Sequence, residues 1–111
     1  MPKASVKKVS EAAILRRVKL ACLTFGLVMI RMSFRPGVAA GWPDVLVLGP
    51  GGNSLFVETK APGKLLRPIQ KVRARALVDF EHGFCKLDSV EEVDAALRRF
   101  AAACDGAEGN R

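Results

Sequence analysis

The sequence predicts one α/β domain built around a mixed β-sheet that is flanked by helices, in the order α-β-β-β-α-β-α. Half of the 111 residues are apolar, which suffices for a single packed core. Segments with apolar residues at helical spacing alternate with short β-branched segments bounded by glycine or proline. Because there is no internal repeat or linker, we expect one domain over residues 1–111, with a core at about 10–103 and flexible ends at 1–8 and 105–111.

The first helix is expected over residues 11–25. Ser10 is a suitable N-cap, and Gly26 is a typical C-terminal stop. Between them, apolar residues recur at the spacing of one helix face. The residues of this expected core face are Ile14, Leu15, Val18, Ala21, Cys22 and Phe25.

Three strands are expected to follow the first helix. Residues 27–34 are rich in β-branched and large apolar side chains, as are residues 44–48 and 54–60. The last two segments flank Gly49-Pro50-Gly51-Gly52-Asn53, which is the strongest hairpin signal in the chain. The sequence therefore predicts an antiparallel pair of strands here.

The remainder of the chain predicts a helix, a strand and a helix. Pro68 suits the first turn of a helix that should stop at His82-Gly83, and residues 84–87 form a short strand. Ser89 and Glu92 have the spacing of a capping box and begin the last helix. The expected core faces are Ile69, Val72, Ala76 and Phe80 in the first of these helices and Val90, Val93, Ala96, Leu97 and Phe100 in the second.

Basic residues are concentrated in the first two thirds of the chain. Residues 1–75 contain fourteen Lys and Arg against three acids, whereas residues 76–111 contain four against eight. Within a formal net charge of +7, this bias indicates a surface for polyanions, and the alternative explanation is a solvated surface. The three acids are Glu11, Asp44 in Gly41-Trp42-Pro43-Asp44, and Glu58 in Glu58-Thr59-Lys60.

Asp44 and Glu58 are expected to face each other across the hairpin. If the turn is centred on Gly51, the two are direct cross-strand neighbours with Cβ atoms roughly 4.5–5.5 Å apart. Like charges at this distance repel each other unless a divalent ion such as Mg²⁺ or Mn²⁺ neutralises them. Lys60 lies on the same strand face as Glu58, where its ammonium group can orient a water molecule and offset phosphate charge.

Glu11 extends the buried stripe of the first helix, so we expect its carboxylate to point toward the sheet. The alternative is a first-turn glutamate that the helix dipole favours. For Asp44 the alternative is a turn residue after Pro43, and for Glu58 with Lys60 it is a solvated pair on an edge strand. The combination of these motifs around a hairpin, in a segment so poor in acids, favours the metal site.

Five motifs follow one another along the chain: a helix bearing Glu11, then Gly41-Trp42-Pro43-Asp44, then Phe56-Val57-Glu58-Thr59-Lys60-Ala61-Pro62-Gly63, then Gln70, and Gly83 before the next strand. In this order and spacing they resemble the PD-(D/E)XK nuclease superfamily and, within it, the VRR-NUC group of virus-type replication and repair nucleases. The resemblance covers about residues 10–100. It departs from the family after Gln70, where Val72, Arg73 and Ala74 stand in place of a frequent aromatic residue.

The resemblance implies a restriction-endonuclease-like fold that hydrolyses DNA phosphodiester bonds with one or two Mg²⁺ or Mn²⁺ ions. It also implies that stand-alone members of the family, as in phages and bacteria, look like homodimeric enzymes that act on branched DNA. We therefore expect a homodimer that prefers branched or four-way-junction DNA. The metal ligands and catalytic helpers that the resemblance implies are Glu11, Asp44, Glu58, the main-chain carbonyl of Thr59, Lys60 and Gln70.

A run of bases follows the Glu-x-Lys motif. Residues 59–75 contain six bases and no acid, spread over a loop and one helix. Such an arrangement can contact several phosphates and gives salt-sensitive, sequence-tolerant binding, whereas the alternative is a solvated helix face. The DNA-binding candidates are Lys64, Arg67, Lys71, Arg73 and Arg75, together with Arg35 in the loop before Asp44.

The cysteines and the apolar segments bear on location. Cys22, Cys85 and Cys104 are odd in number and form no Cys-x-x-Cys, which indicates reduced thiols. Residues 20–30 are too few for a spanning helix, which needs ~20, and the N-terminus lacks the apolar segment of a secretion signal. We expect a cytoplasmic, unsecreted protein without a membrane span, and the resemblance to phage members extends this to a phage protein in a bacterial host.

The hypothesis that these observations favour is a Mg²⁺- or Mn²⁺-dependent DNA endonuclease that acts as a homodimer on branched DNA. One alternative is a catalytically weak nuclease-fold module that only binds DNA. The other is a metal-dependent nuclease that acts on RNA or on linear DNA.

Overall fold

The first helix, α1 (Glu11–Phe25), has the predicted bounds in the computed structural model, which describes residues 9–32 and 40–109. Ser10 Oγ accepts a hydrogen bond from the Ala13 amide at 3.1 Å, so the predicted N-cap is confirmed. Gly26 ends the helix with φ of +72°, a conformation that glycine adopts without steric cost. The residues that α1 buries are Ile14, Val18, Ala21 and Cys22.

Among the described residues, four strands form one sheet in the spatial order β1-β2-β3-β4. Their bounds are β1 (Val28–Arg31), β2 (Val45–Gly49), β3 (Asn53–Thr59) and β4 (Gly83–Leu87). Strand β2 is antiparallel to both β1 and β3, whereas β3 and β4 are parallel. The sheet is therefore mixed, as the sequence predicts. Strand β1 is shorter than the expected 27–34, of which residues 33 and 34 lie outside the described part of the chain.

A short 3₁₀ turn at Pro50–Gly52 joins β2 to β3, with Gly51 at φ of +77°. Leu46 pairs with Phe56 in the sheet, which is the register predicted for a turn centred on Gly51. The hairpin prediction is confirmed. Local glycine chemistry sets this register, because a turn with left-handed positions fixes how the flanking strands align.

The last helix, α3 (Val90–Gly109), packs with α1 on one face of the sheet. Ser89 Oγ accepts a hydrogen bond from the Glu92 amide at 3.1 Å, as expected for the capping box. The helix runs to Gly109 and so includes residues 105–109 of the expected flexible end, whose flexibility stays a prediction. Ala101, Ala102 and Ala103 precede this segment, and alanine has the highest helix propensity. The largest core side chains are Ile14, Val18, Val45, Val47, Val57, Val93 and Leu97.

The second helix, α2 (Pro68–Asp79), departs from the prediction in its orientation. It buries Gln70 and Leu77, whereas the expected core stripe is largely outside, with Val72 58% and Phe80 78% exposed. The prediction of a core stripe is wrong because hydrogen bonds of the buried Gln70 side chain, described below, set the rotation of the helix. The helix also ends before the expected His82-Gly83.

The face of the sheet opposite α1 and α3 is only partly covered. Val28 pairs with Leu48 and Ile30 with Leu46, so these four side chains share one face. Val28, Ile30 and Leu48 are exposed. Within the described residues, no helix is long and apolar enough to cross a membrane.

Candidate active site

Asp44 and Glu58 lie at the same end of the sheet. Asp44 immediately precedes β2, Glu58 is the penultimate residue of β3, and the flanking Val45 and Val57 are register partners. The hairpin therefore places the two acids on facing positions, as predicted. Glu58 is only 7% exposed, which is unusual for a carboxylate.

Polar burial within the described residues is confined to this place. The buried polar or charged residues are Glu58, Thr59 and Gln70. Burying such groups is unfavourable unless each finds a partner. No buried side-chain nitrogen or oxygen in the described part of the chain lacks a hydrogen-bond partner. A satisfied polar cluster inside an otherwise apolar interior marks this end of the sheet as the candidate site.

Thr59 holds the carboxylate of Asp44. The Thr59 amide donates to Oδ1 of Asp44 at 3.1 Å, and the Thr59 hydroxyl donates to Oδ2 at 2.7 Å. Two donors on two oxygens fix the plane of the carboxylate. The main-chain carbonyl of Thr59, which the family resemblance implies as a metal ligand, takes no part in these two bonds.

Glu58 is surrounded by groups that act on its charge. Lys60 Nζ lies 4.0 Å from its Oε2. The pKa of Glu58 is raised to about 7, chiefly by burial and also by the negative charges of Asp44 and Glu11, while the positive charges of Lys60 and Arg67 lower it. Because the charged form of Glu58 is disfavoured, a cation that binds beside this carboxylate would stabilise its ionised form.

Gln70 joins Glu58 to the start of α2. Its Nε2 donates to Oε2 of Glu58 at 3.1 Å, and its Oε1 accepts from the Arg67 amide at 2.8 Å. Because both ends of the side-chain amide are engaged, its orientation is determined. The structure thus places Gln70, which the family resemblance implies as a catalytic helper, against Glu58.

Glu11 is not gathered into this cluster. It is the first residue of α1 and is exposed, although its charge contributes to the raised pKa of Glu58. Among the residues that the structure describes, no group of three or more His, Cys, Asp and Glu could hold a metal ion. The structure brings together Asp44, Glu58, Lys60 and Gln70, and the role of Glu11 stays a prediction.

Two solved structures described as VRR_NUC domains share this architecture. One is 23% identical, superposes with a TM-score of 0.70, and is matched over 79% of this chain and 94% of its own. The other is 17% identical, with a TM-score of 0.63 and coverage of 83% and 88%.

The chain has the VRR-NUC fold.

No protein-family model matches the sequence, and no curated protein matches it. The fold that the sequence motifs imply is therefore confirmed by three-dimensional likeness. The VRR-NUC fold also explains why the acids and Gln70, which are distant in sequence, meet at one end of the sheet.

Three of the predicted DNA-binding residues are exposed beside this site of the VRR-NUC fold. They are Lys64, Arg67 and Lys71. Arg75 is also exposed but forms an ion pair with Asp79 at 3.0 Å. Arg35 lies outside the described residues. Arg73 differs from the others, because its Nε donates to the Ala40 carbonyl and its guanidinium lies over the Trp42 ring.

The turn after Lys60 is held by residues that the sequence analysis did not single out. Lys86 Nζ donates to the Lys64 carbonyl at 2.9 Å, and Asp88 accepts from the Gly63 amide at 3.2 Å. Lys86 is the parallel-sheet partner of Glu58. The parallel pairing of β3 with β4 is what brings these residues near the site, and no local pattern signals it.

Proposed function

We propose that this domain is a divalent-metal-dependent nuclease that hydrolyses DNA phosphodiester bonds. The observation that carries the proposal is the buried cluster of Glu58, Thr59 and Gln70 beside Asp44 and Lys60. It lies in a fold shared with VRR_NUC domains. A buried carboxylate such as Glu58, with a second carboxylate and a lysine beside it, is unfavourable for stability, which favours a chemical role over a structural one.

The oxygen-rich cluster fits Mg²⁺ or Mn²⁺, both of which prefer oxygen ligands. Asp44 and Glu58 supply carboxylate oxygens, and the carbonyl of Thr59 and the carboxylate of Glu11 are the further candidates. A bound ion of this kind supplies Lewis acidity at the phosphate and a more acidic water molecule.

Lys60 and Gln70 have distinct roles in this proposal. The Lys60 ammonium group, 4.0 Å from Glu58, bears a positive charge where a phosphate would gain negative charge. Gln70 keeps the Glu58 carboxylate oriented through its 3.1 Å hydrogen bond. Thr59 does the same for Asp44. These residues arrange the acids before any substrate binds.

DNA binding is supported by the exposed bases beside the cluster. Lys64, Arg67 and Lys71 lie on the turn and the helix that follow Lys60, so they can contact phosphates that flank the reacting bond. Contacts of this kind recognise the phosphate backbone of the DNA and do not depend on the base sequence. Branched or four-way-junction DNA is the proposed substrate, with linear DNA and RNA as alternatives.

A homodimer would supply two such sites. One 111-residue domain with one site cuts one strand at each binding event, whereas a two-fold dimer matches the symmetry of a four-way junction. The exposed apolar side chains of Val28, Ile30 and Leu48 on the partly covered face of the sheet support such an association.

A nuclease-fold module that binds DNA without cutting it is the second candidate. The exposed position of Glu11 favours it, because the cluster then has two carboxylates and not three. The two candidates differ in one measurement. Purified protein is incubated with labelled duplex, flap and four-way-junction DNA, and with RNA, with and without Mn²⁺. Mn²⁺-dependent cleavage of junctions supports the proposal, whereas binding without cleavage supports the second candidate.

A further inference from the structure

Arg73 connects α2 to the segment that leads into Asp44. Its Nε donates a hydrogen bond to the Ala40 carbonyl at 3.2 Å. Its Cζ lies 4.9 Å from the centroid of the Trp42 ring, within the range of a cation–π contact. Both partners stand shortly before Asp44, and the buried Pro43 lies between Trp42 and Asp44.

Gly41 adds a second contact between the same two segments. A Cβ atom at this position would lie 2.7 Å from Ile69 Cγ1 and 2.9 Å from the Ile69 carbonyl oxygen. Gly41 also has φ of +86°, which other residues rarely adopt. Ile69 and Arg73 are one helical turn apart, so one side of α2 contacts residues 40–42 at two successive turns.

Helix α2 therefore acts on both acids of the candidate site. It reaches Glu58 directly through Gln70, and it reaches Asp44 through residues 40–43. An arginine engaged in this way has its guanidinium held against Trp42, and Arg73 is half-buried. The position of Arg73 differs in this respect from that of Lys71, which is exposed on the same helix.

We propose that Arg73 is a positioning residue that orients Asp44 for metal binding through Trp42 and the Ala40 carbonyl, and not a phosphate contact. The inference rests on the proposed function, because it assigns Asp44 to a metal site. The chemistry of the Arg73 contacts distinguishes this role from a phosphate contact that needs only a positive charge. Stacking on an indole and donation from Nε need the planar guanidinium, which lysine lacks, whereas a phosphate accepts either cation.

The test compares Arg73→Lys with Lys71→Ala in the 111-residue protein. Calorimetry measures the Kd for Mn²⁺, and DNA binding is measured as a function of salt. We expect Arg73→Lys to weaken Mn²⁺ binding about tenfold, as changes to groups that orient metal ligands do, and to leave the salt slope unchanged. Lys71→Ala should do the reverse, reducing the slope by about one unit with unchanged Mn²⁺ affinity.

Trp42 provides a second readout that does not depend on cleavage, because it is the only tryptophan in the chain. Its emission should shift when Arg73 is replaced by alanine. Trp42→Phe keeps an aromatic ring beside Arg73 and should retain most of the Mn²⁺ affinity. Trp42→Ala should lose as much Mn²⁺ affinity as Arg73→Lys does. The effects of Trp42→Ala and Arg73→Lys on Mn²⁺ affinity should not add in the double variant, because both remove the same contact between Arg73 and Trp42.

Two results overturn the inference in different ways. If wild-type protein binds Mn²⁺ and Arg73→Lys binds it equally well while Arg73→Ala reduces the salt slope, Arg73 is a phosphate contact and the proposed function stands. If wild-type protein neither binds Mn²⁺ nor cleaves any nucleic acid, the proposed function fails and the inference fails with it. Circular dichroism of Arg73→Lys and Trp42→Phe establishes that the variants are folded.

Discussion

Gln70 Nε2 donates a hydrogen bond to Oε2 of Glu58 over 3.1 Å, while the other end of the same amide accepts from the backbone of Arg67. One side chain thus caps α2 and orients a buried carboxylate. The packing of the helix and the geometry of the site therefore depend on the same group, and a change at residue 70 should be visible in both stability and metal affinity.

Replacing Gln70 with leucine should destabilise the protein by about 1–3 kcal/mol, because the Arg67 amide and the Glu58 carboxylate each lose a partner. Mn²⁺ binding should weaken as well, since Glu58 loses its orienting bond. Urea unfolding and calorimetry measure the two effects. Lys71→Leu, at an exposed position of the same helix, is the control. A stable Gln70→Leu variant with unchanged Mn²⁺ affinity would contradict the assignment.

The stability of the metal-free protein should depend on Glu58 between pH 4.5 and 7. Its pKa rises from 4.5 to about 7 on folding, so the folded state binds the proton more tightly than the unfolded state. Stability from this group is therefore highest below pH 4.5 and falls as pH rises through 7. Glu58→Gln removes this pH dependence. The free energy of unfolding of the variant, relative to that of wild type, should therefore increase by up to about 3 kcal/mol between pH 4.5 and 8. Parallel unfolding curves for the two proteins across this range would refute the prediction.

Asp44→Ala and Glu58→Ala should each abolish Mn²⁺-dependent cleavage of labelled junction DNA. Lys60→Ala should lose turnover with little change in Mn²⁺ affinity, because Lys60 is not an oxygen ligand. Cleavage rates and calorimetry separate the two kinds of effect. Asp79→Ala removes an exposed carboxylate from α2 and is the matched control. Full activity in either of the first two variants would show that the site is elsewhere.

DNA affinity should fall steeply with salt and depend weakly on sequence. Alanine at Lys64, Arg67 or Lys71 should each reduce the slope of log K against log salt by about one unit. Arg75→Ala should have a smaller effect, because Arg75 is already paired with Asp79 at 3.0 Å. If the triple variant of the first three keeps the wild-type slope, the DNA path lies on another surface.

Light scattering should give a molecular mass twice the 12.0 kDa of one chain. Ile30→Lys places a charge on the exposed apolar face of the sheet and should produce monomers that cleave junctions poorly. Leu20→Lys is the control, because Leu20 is 51% exposed on α1 and lies beside Asp94 and Arg98 of α3, on the other side of the sheet. A wild-type monomer at concentrations that support cleavage would exclude the dimer and leave the nuclease proposal intact.

Local signals in the sequence predict much of the fold. Ser10 and Gly26 delimit α1, and the glycines of the hairpin set the register that places Asp44 opposite Glu58. Each of these features depends on residues close in sequence, so the pattern alone determines it. The adjacency of the two acids could be predicted for the same reason.

Features that depend on distant residues could not be predicted in this way. Helix α2 buries the polar Gln70 and exposes Val72, because a partner on β3 overrides the apolar pattern. Arg73 belongs to a basic run, yet its side chain is engaged by Trp42. The hydroxyl of Thr59 binds Asp44 only once the strands are paired.

The uneven covering of the sheet has a dynamic consequence. Two helices and the apolar interior hold one face, whereas α2 buries only Gln70 and Leu77 on the other side. Its backbone amides should therefore exchange with solvent through a local opening that leaves the rest of the domain folded. Such an opening would release Glu58 and the segment before Asp44 together. Any ion that needs both acids would then bind only the closed form and would slow amide exchange along α2 in proportion to its concentration.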